Sequence, residues 1–255
     1  MHVILPIVCI LLYLFSATTQ YLGLLGRFRH TGLLVMVSGI LAVLTHGELL
    51  HSWIDLAIGQ NLTFFNMFSF IIWLICLWVL LGTVRHPLQN LCVFTFPLAA
   101  LSVLLAAVFP GYYVLHTAQN PKQLIHILTA AVAFSVLGVA AFQTVLLRIQ
   151  EGLLRRNYVG NFIEKLPPLE TMERLLFQMI GLGFFLLTLV LITSMYFFND
   201  LFKLPLLQKT ILVLIIWVIF AVLLVGRYFF GWRGRKIVYY TFSGFILLTV
   251  VYFSS

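Results

Sequence analysis

Eight apolar runs, each about as long as a bilayer is thick, constrain this chain more than any other feature. The run "FSFIIWLICLWVLLGTV" carries no charged residue between positions 68 and 84. A hydrocarbon core of about 30 Å calls for about 20 apolar residues per helix. Runs of that kind fall at approximately 3–24, 32–53, 63–83, 91–109, 123–147, 174–198, 209–230 and 236–253. Composition agrees: 9% of the residues are charged and 62% hydrophobic, whereas a soluble domain carries roughly 25% charged residues to cover its surface. The expected fold is an all-α integral membrane protein, a bundle of eight transmembrane helices forming a single polytopic membrane domain over 1–255.

The opening "MHVILPIVCILLYLF" has neither a basic n-region nor an A-x-A site, so it reads as a retained first span rather than a cleaved signal. Short connections join the spans, except for the charged, amphipathic loop 148–173, which Pro167-Pro168 punctuate. Connections one, three, five and seven hold twelve Lys and Arg, among them Arg27, Arg29, Arg85, Arg155, Arg156 and Arg233. The even connections hold Lys122, Lys203 and Lys209. Basic residues collect on the cytoplasmic side, so the odd connections and the 148–173 loop are expected there. Both termini are then expected on the opposite, periplasmic side. The net charge of +8 reports this topology, and a nucleic-acid partner is not expected. The lipid bilayer is the expected surrounding.

Histidines interrupt two of the runs. His46 lies in "ILAVLTHGELLHSW", about two turns before the outer end of span two, and His126 opens "HILTAAVAFSVLGVAAF" in the first turn of span five. At about 1.5 Å per residue, both imidazoles should lie within roughly 10 Å of the outer interface. His51 shares that end of span two, and His116 lies in the outer loop before span five. A polar side chain at lipid depth needs a partner. One reading is that His126 and His46 each offer an imidazole to heme iron as axial ligands, with His116 and His51 as weaker candidates. Ala130, Ala133 and Ala141 would let neighbouring helices approach closely. The other reading is a hydrogen bond from His126 to a backbone carbonyl or to Glu48. Glu48 and Asp55 are the acids near the outer end of span two. His46 and Glu48 are two apart and do not share a helix face, whereas His51 and Asp55, four apart, do.

Cys9, Cys76 and Cys92 lie in apolar runs without a CxxC pattern and read as small core residues. In "GRYFFGWRGRK", residues 226–236, four basic residues and the aromatics read as an interfacial anchor, and Gly231 and Gly234 permit a sharp reversal. No P-loop, HExxH, GxSxG or dinucleotide fingerprint is present, and no nucleophile, base and oxyanion set can be assembled, so an enzyme is not expected.

Three stretches carry a family resemblance: "LIHILTAAVAFSVLGVAAF", "LPPLETMERLLFQMIGLGFFLLTLVLITSMYF" and "IIWVIFAVLLVGRYFFGWRGRKIVYYTFSGFILLTVVYF". Together they resemble the cytochrome c assembly protein family, which includes the CcsA and CcmC heme-handling proteins. The chain looks most like the small, eight-span, YpjD-type HemX-like branch of bacterial inner-membrane proteins. The resemblance covers nearly the whole chain. It implies a multi-pass protein of the bacterial plasma (inner) membrane that binds heme b and assists cytochrome c or heme-protein assembly, beside other membrane proteins of that process. It maps the family's histidine before an Ala-rich helix onto His126, and the branch's histidine late in span two onto His46. Two departures point away from a synthetase-like role. The tryptophan-rich segment with its W-D-x-K-E-T-like core is reduced in "NDLFKLPLLQKTILVLIIW" to Lys209, Thr210 and Trp217, and Val225 stands where larger members place a histidine. The alternatives are a small transporter or ion-transport accessory protein using Glu48, Asp55 and the outer histidines, or a structural subunit of a membrane complex, both without a cofactor.

Overall fold

Apolar side chains every 3.6 residues and few intervening charges leave each segment one stable solution in lipid, a helix that satisfies its own backbone. A computed structural model describes residues 3–27, 31–84, 88–116, 121–156, 160–197 and 204–253. His2, His30 and His86 lie outside the described residues, as do Arg29, Arg85 and Lys203 of the charge bias. Among the described residues eight helices are long and apolar enough to cross a membrane, and their bounds follow the apolar runs of the sequence. The chain divides into two compact units, Met1–Asn120 with Gly152–Pro168, and Pro121–Glu151 with Leu169–Ser255.

The first unit holds α1 (Ile4–Leu24), α2 (Thr31–Ile54), α3 (Phe64–Thr83) and α4 (Cys92–Val108), the last entered through a 3-10 turn at Gln89–Leu91. Contacts along the helices give their order. Cys9 Sγ lies 3.6 Å from the Ala42 carbonyl, and Ser16 Oγ donates to the Val35 carbonyl at 3.0 Å, so α1 and α2 run antiparallel. Gln20 Nε2 donates to Asn90 Oδ1 at 2.9 Å, while Tyr13 packs on Phe96 with centroids 5.3 Å apart, which sets α4 antiparallel to α1. Trp73 Nε1 donates to the Val43 carbonyl at 2.8 Å, joining α3 to α2. Cys76 Sγ, 3.7 Å from the Thr95 carbonyl, joins α3 to α4. The result is an up-down four-helix arrangement in which α1 and α3 each contact both α2 and α4. All three cysteines are buried in it as free thiols, as the sequence suggested.

Short strands cross one end of this unit, a feature the apolar runs do not announce. β1 (Asp55–Leu56), β2 (Gly59–Asn61) and β3 (Val114–Leu115) form an antiparallel sheet in that order. Asn61 closes it: Nδ2 donates to the Gly111 carbonyl at 3.0 Å, and Oδ1 accepts from the Tyr113 amide at 2.8 Å. Asn66 Nδ2 donates to the Asn61 carbonyl at 3.1 Å. Asn61→Ala therefore strands two backbone groups, at a cost of about 1–3 kcal/mol. A lowered thermal midpoint in detergent is the expected measurement.

The remaining helices are α5 (Pro121–Arg155), α6 (Asn161–Glu164), α7 (Leu169–Phe197), α8 (Leu204–Phe230) and α9 (Arg235–Phe253). Proline opens α5, where its fixed φ suits a first helical position. The helix continues past the expected end of span five at 147, because "RIQEGLLR" keeps helical amphipathic spacing. Lys165, in the segment grouped with the first unit, donates to the Gly23 carbonyl there.

In the second unit α7 runs antiparallel to α5, with Gln143 Nε2 donating to the Met172 carbonyl at 3.5 Å and Gly183 against Leu137. Trp217 Nε1 donates to Thr188 Oγ1 at 2.9 Å and ties α8 to α7. Phe134 of α5 packs on Phe245 and Tyr252 of α9, with centroids 5.1 and 5.3 Å away. The reversal between α8 and α9 uses the glycines singled out in the sequence: Gly231 and Gly234 have φ of 62° and 63°, the left-handed region that favours glycine.

Candidate functional site

His46 is enclosed by all four helices of the first unit, with no exposed surface. Tyr13 Oη on α1 lies 3.1 Å from His46 Nδ1, and Ser69 Oγ on α3 lies 2.8 Å from Nε2. Ser102 Oγ on α4 is 3.5 Å from Ser69 Oγ and donates to the Ala99 carbonyl at 2.8 Å. One assignment uses every hydroxyl hydrogen once. Tyr13 donates to Nδ1, the Nε2 hydrogen goes to Ser69, Ser69 donates to Ser102, and Ser102 donates to the backbone. The Tyr13 ring also meets the imidazole edge-on, with centroids 5.7 Å apart. His46 is thus the centre of a buried polar chain across α1, α2, α3 and α4.

His126 sits half-buried in the first turns of α5, in the second unit. Its Nδ1 lies 3.1 Å from Thr193 Oγ1 on α7, and that hydroxyl also lies 3.0 Å from the Val190 carbonyl. Thr193 Oγ1 can accept from Nδ1–H or donate to Nδ1, and either bond fixes the orientation of the ring through that nitrogen. A histidine that binds metal is typically oriented in this way by its other nitrogen.

The weaker candidates lie elsewhere. His51 Nδ1 is 2.8 Å from Asp55 Oδ2, an exposed pair one helical turn apart. His116 is exposed just after β3. Glu48 is exposed while His46 is buried, and the acid and histidine of that end which meet are Asp55 and His51. A partner of His126 is Thr193. Tyr13, Ser69, Ser102 and Thr193 went unremarked in the sequence. Tyr13 had a signal, a phenol within an apolar run. The serines and threonine had none, because hydroxyls in membrane helices commonly bond their own backbone.

Heme iron needs an imidazole nitrogen with an available lone pair and room for a porphyrin beside it. His126 is half-buried, with Thr193 Oγ1 3.1 Å from its Nδ1. His46 as packed meets neither requirement, since both ring nitrogens are hydrogen-bonded and the ring has no exposed surface. Among the described residues no three His, Cys, Asp or Glu side chains converge as a metal site, but an axial heme ligand acts singly or in pairs.

Comparison with known proteins adds the family. Inner membrane protein YpjD of Escherichia coli strain K12 is 30% identical to this chain over 235 residues, covering 91% of the chain and 89% of the relative. The same protein from strains O6:H1 and O157:H7 matches equally. No solved structure matches the chain. Residues 30–255 match the family described as cytochrome C assembly protein, and with most of its length accounted for in this way, the chain belongs to that family.

Proposed function

We propose that this chain is a multi-pass protein of the bacterial inner membrane that binds heme and assists the assembly of cytochrome c or other heme proteins, without a catalytic step of its own. Family membership and the inner-membrane relative support the setting. The observation that supports the heme reading is the Thr193 hydroxyl 3.1 Å from His126 Nδ1, which orients the ring. His126 is the ligand we assign to iron through Nε2, and Thr193 positions the ring. His46 is the second candidate, and it becomes one only if Ser69 gives up its bond to Nε2. His116 and His51, both exposed, are assigned no iron. The charge bias of the connections supports placing both termini and the His126 end of α5 on the periplasmic side. Heme b, when bound, supplies an iron centre that is either carried to a client or kept. The chain's own residues hold it and keep it in lipid. The partners are the bilayer and other membrane proteins of the assembly process.

An absorption spectrum of detergent-purified protein from heme-replete cells, oxidised and then reduced with dithionite, tests this. The expected result is a Soret band with sharp reduced bands, absent from His126→Ala. Thr193→Val is expected to weaken heme retention about 10- to 100-fold, the usual effect of losing a ligand's orienting partner. In His46→Ala, a change from a six- to a five-coordinate spectrum would assign the second ligand to His46, and an unchanged spectrum would leave iron on His126. A featureless spectrum from monodisperse wild-type protein overturns the heme reading.

A further inference from the structure

The end of α8 and the turn after it carry a feature that heme handling does not use. An apolar groove of about 240 Å³ runs along α8, lined by Trp217, Val218, Val222, Val225, Phe230 and Trp232. The turn makes its end wall. The Trp232 amide donates to the Gly226 carbonyl at 3.0 Å, and Arg227 Nη1 donates to the Trp232 carbonyl at 3.2 Å. These bonds fold the indole back over Gly226, where any Cβ would run into the ring. Tyr240 of α9 stacks on the indole, with centroids 5.2 Å apart. The groove is thus built, its end fixed by an aromatic pair.

Cations surround that end. Lys236 Nζ stands 4.9 Å from the Trp232 ring centroid, and Arg233 and Arg235 are exposed beside it. The carboxylates nearby are already engaged. Glu173 takes Arg227 at 3.4 Å and Arg233 at 3.8 Å, and Glu151 takes Arg148 at 2.9 Å. Arg227 also lies against the Phe177 ring, 4.8 Å from its centroid. Four cations on this turn and Arg148 beside them therefore face two carboxylates, Glu173 and, next to Gly234, Glu151, which leaves the turn with an excess of positive charge. The groove lies along a helix long and apolar enough to cross a membrane. An occupant in that setting lies in hydrocarbon, with its polar end at the level of the turn.

We propose that this groove and turn form a site for one anionic phospholipid, its acyl chain along Val218, Val222 and Val225 and its phosphate among Arg233, Arg235 and Lys236. A zwitterionic lipid satisfies the groove but gains little from the cations. A soluble anion satisfies the cations but not the groove. The site needs both halves, which favours a lipid over either alone. The proposal stands apart from the heme reading.

Native mass spectrometry of the full-length protein, released from nanodiscs containing phosphatidylglycerol and phosphatidylcholine in equal amounts, tests it. The expected result is one retained phosphatidylglycerol at roughly tenfold or greater preference, given the usual attraction of each basic residue to anionic lipid. Arg233→Gln, Arg235→Gln and Lys236→Gln together should remove the preference while leaving the fold intact, since all three are exposed. Val222→Trp, which fills the groove from an exposed position, should remove retention of either lipid. Equal retention of the two lipids by the wild type overturns the proposal, as does undiminished retention in Val222→Trp. Inorganic phosphate that displaces phosphatidylglycerol completely at millimolar concentration would also overturn it, in favour of a simple anion site.

Discussion

His46→Leu will lower the stability of the protein by about 2–5 kcal/mol, read as a fall in the thermal midpoint in detergent. Leucine fills much of the imidazole's volume, so the loss is not mainly a cavity. It comes from two hydroxyls. Tyr13 Oη and Ser69 Oγ both bond the ring, at 3.1 and 2.8 Å, and Tyr13 and Ser69 have no exposed surface. A buried polar group that loses its partner costs about 1–3 kcal/mol; Tyr13 loses its ring acceptor here, and Ser69 keeps only the 3.5 Å contact with Ser102. Removing the partners as well should reverse much of the damage, because replacing every member of a polar set with apolar groups of similar shape can be nearly neutral. The triple variant His46→Leu, Tyr13→Phe, Ser69→Ala is therefore expected to recover at least half of the loss. Strong non-additivity of this kind is the mark of residues in one network. If His46→Leu alone leaves the midpoint unchanged or raises it, the ring is not a packing hub, and its burial must serve a ligand.

The large-scale fold was legible because each span is encoded locally. The run at 32–53 became α2 at Thr31–Ile54, and the run at 63–83 became α3 at Phe64–Thr83. The exposed His51–Asp55 pair followed from residues one turn apart. Gly231 and Gly234 followed from a turn that had to reverse within a few residues. What the sequence hid depends on which helices touch. His46 and Ser69 are 23 positions apart and His126 and Thr193 are 67 apart, and no local pattern links them. The sheet was hidden for another reason. Strands as brief as Asp55–Leu56 and Val114–Leu115 carry too few residues for an alternating pattern.

The small residues of span five show the same division. Ala133 and Ala141 are buried and Ala130 is half-buried. Yet a close approach falls at a glycine on the partner helix, which the sequence of span five could not reveal.

That approach yields the second large effect. Gly183→Leu is expected to destabilise the protein by more than about 3 kcal/mol, and Gly183→Ala by about 1–3 kcal/mol, the usual cost of overpacking a filled core. A Cβ at Gly183 would stand 2.5 Å from Leu137 Cδ2 and 2.6 Å from its Cγ. Leu137 has no exposed surface, so its side chain has nowhere ready to go, and α5 and α7 must part instead. Gly181, two residues earlier on α7, is the internal control, because a Cβ there meets nothing within 4 Å. Gly181→Ala should leave the midpoint unchanged or raise it slightly, since alanine is the better helix former by up to about 1 kcal/mol. Leu137→Ala should rescue Gly183→Ala, since it removes the two atoms in conflict. The same helix pair carries His126 and Thr193, which couples packing to heme retention. If α5 and α7 part, the His126–Thr193 bond lengthens, and Gly183→Ala should lose heme along with stability, while Gly181→Ala loses neither. Heme retained at wild-type occupancy in a destabilised but folded Gly183→Ala would mean that the ring is oriented by something other than Thr193.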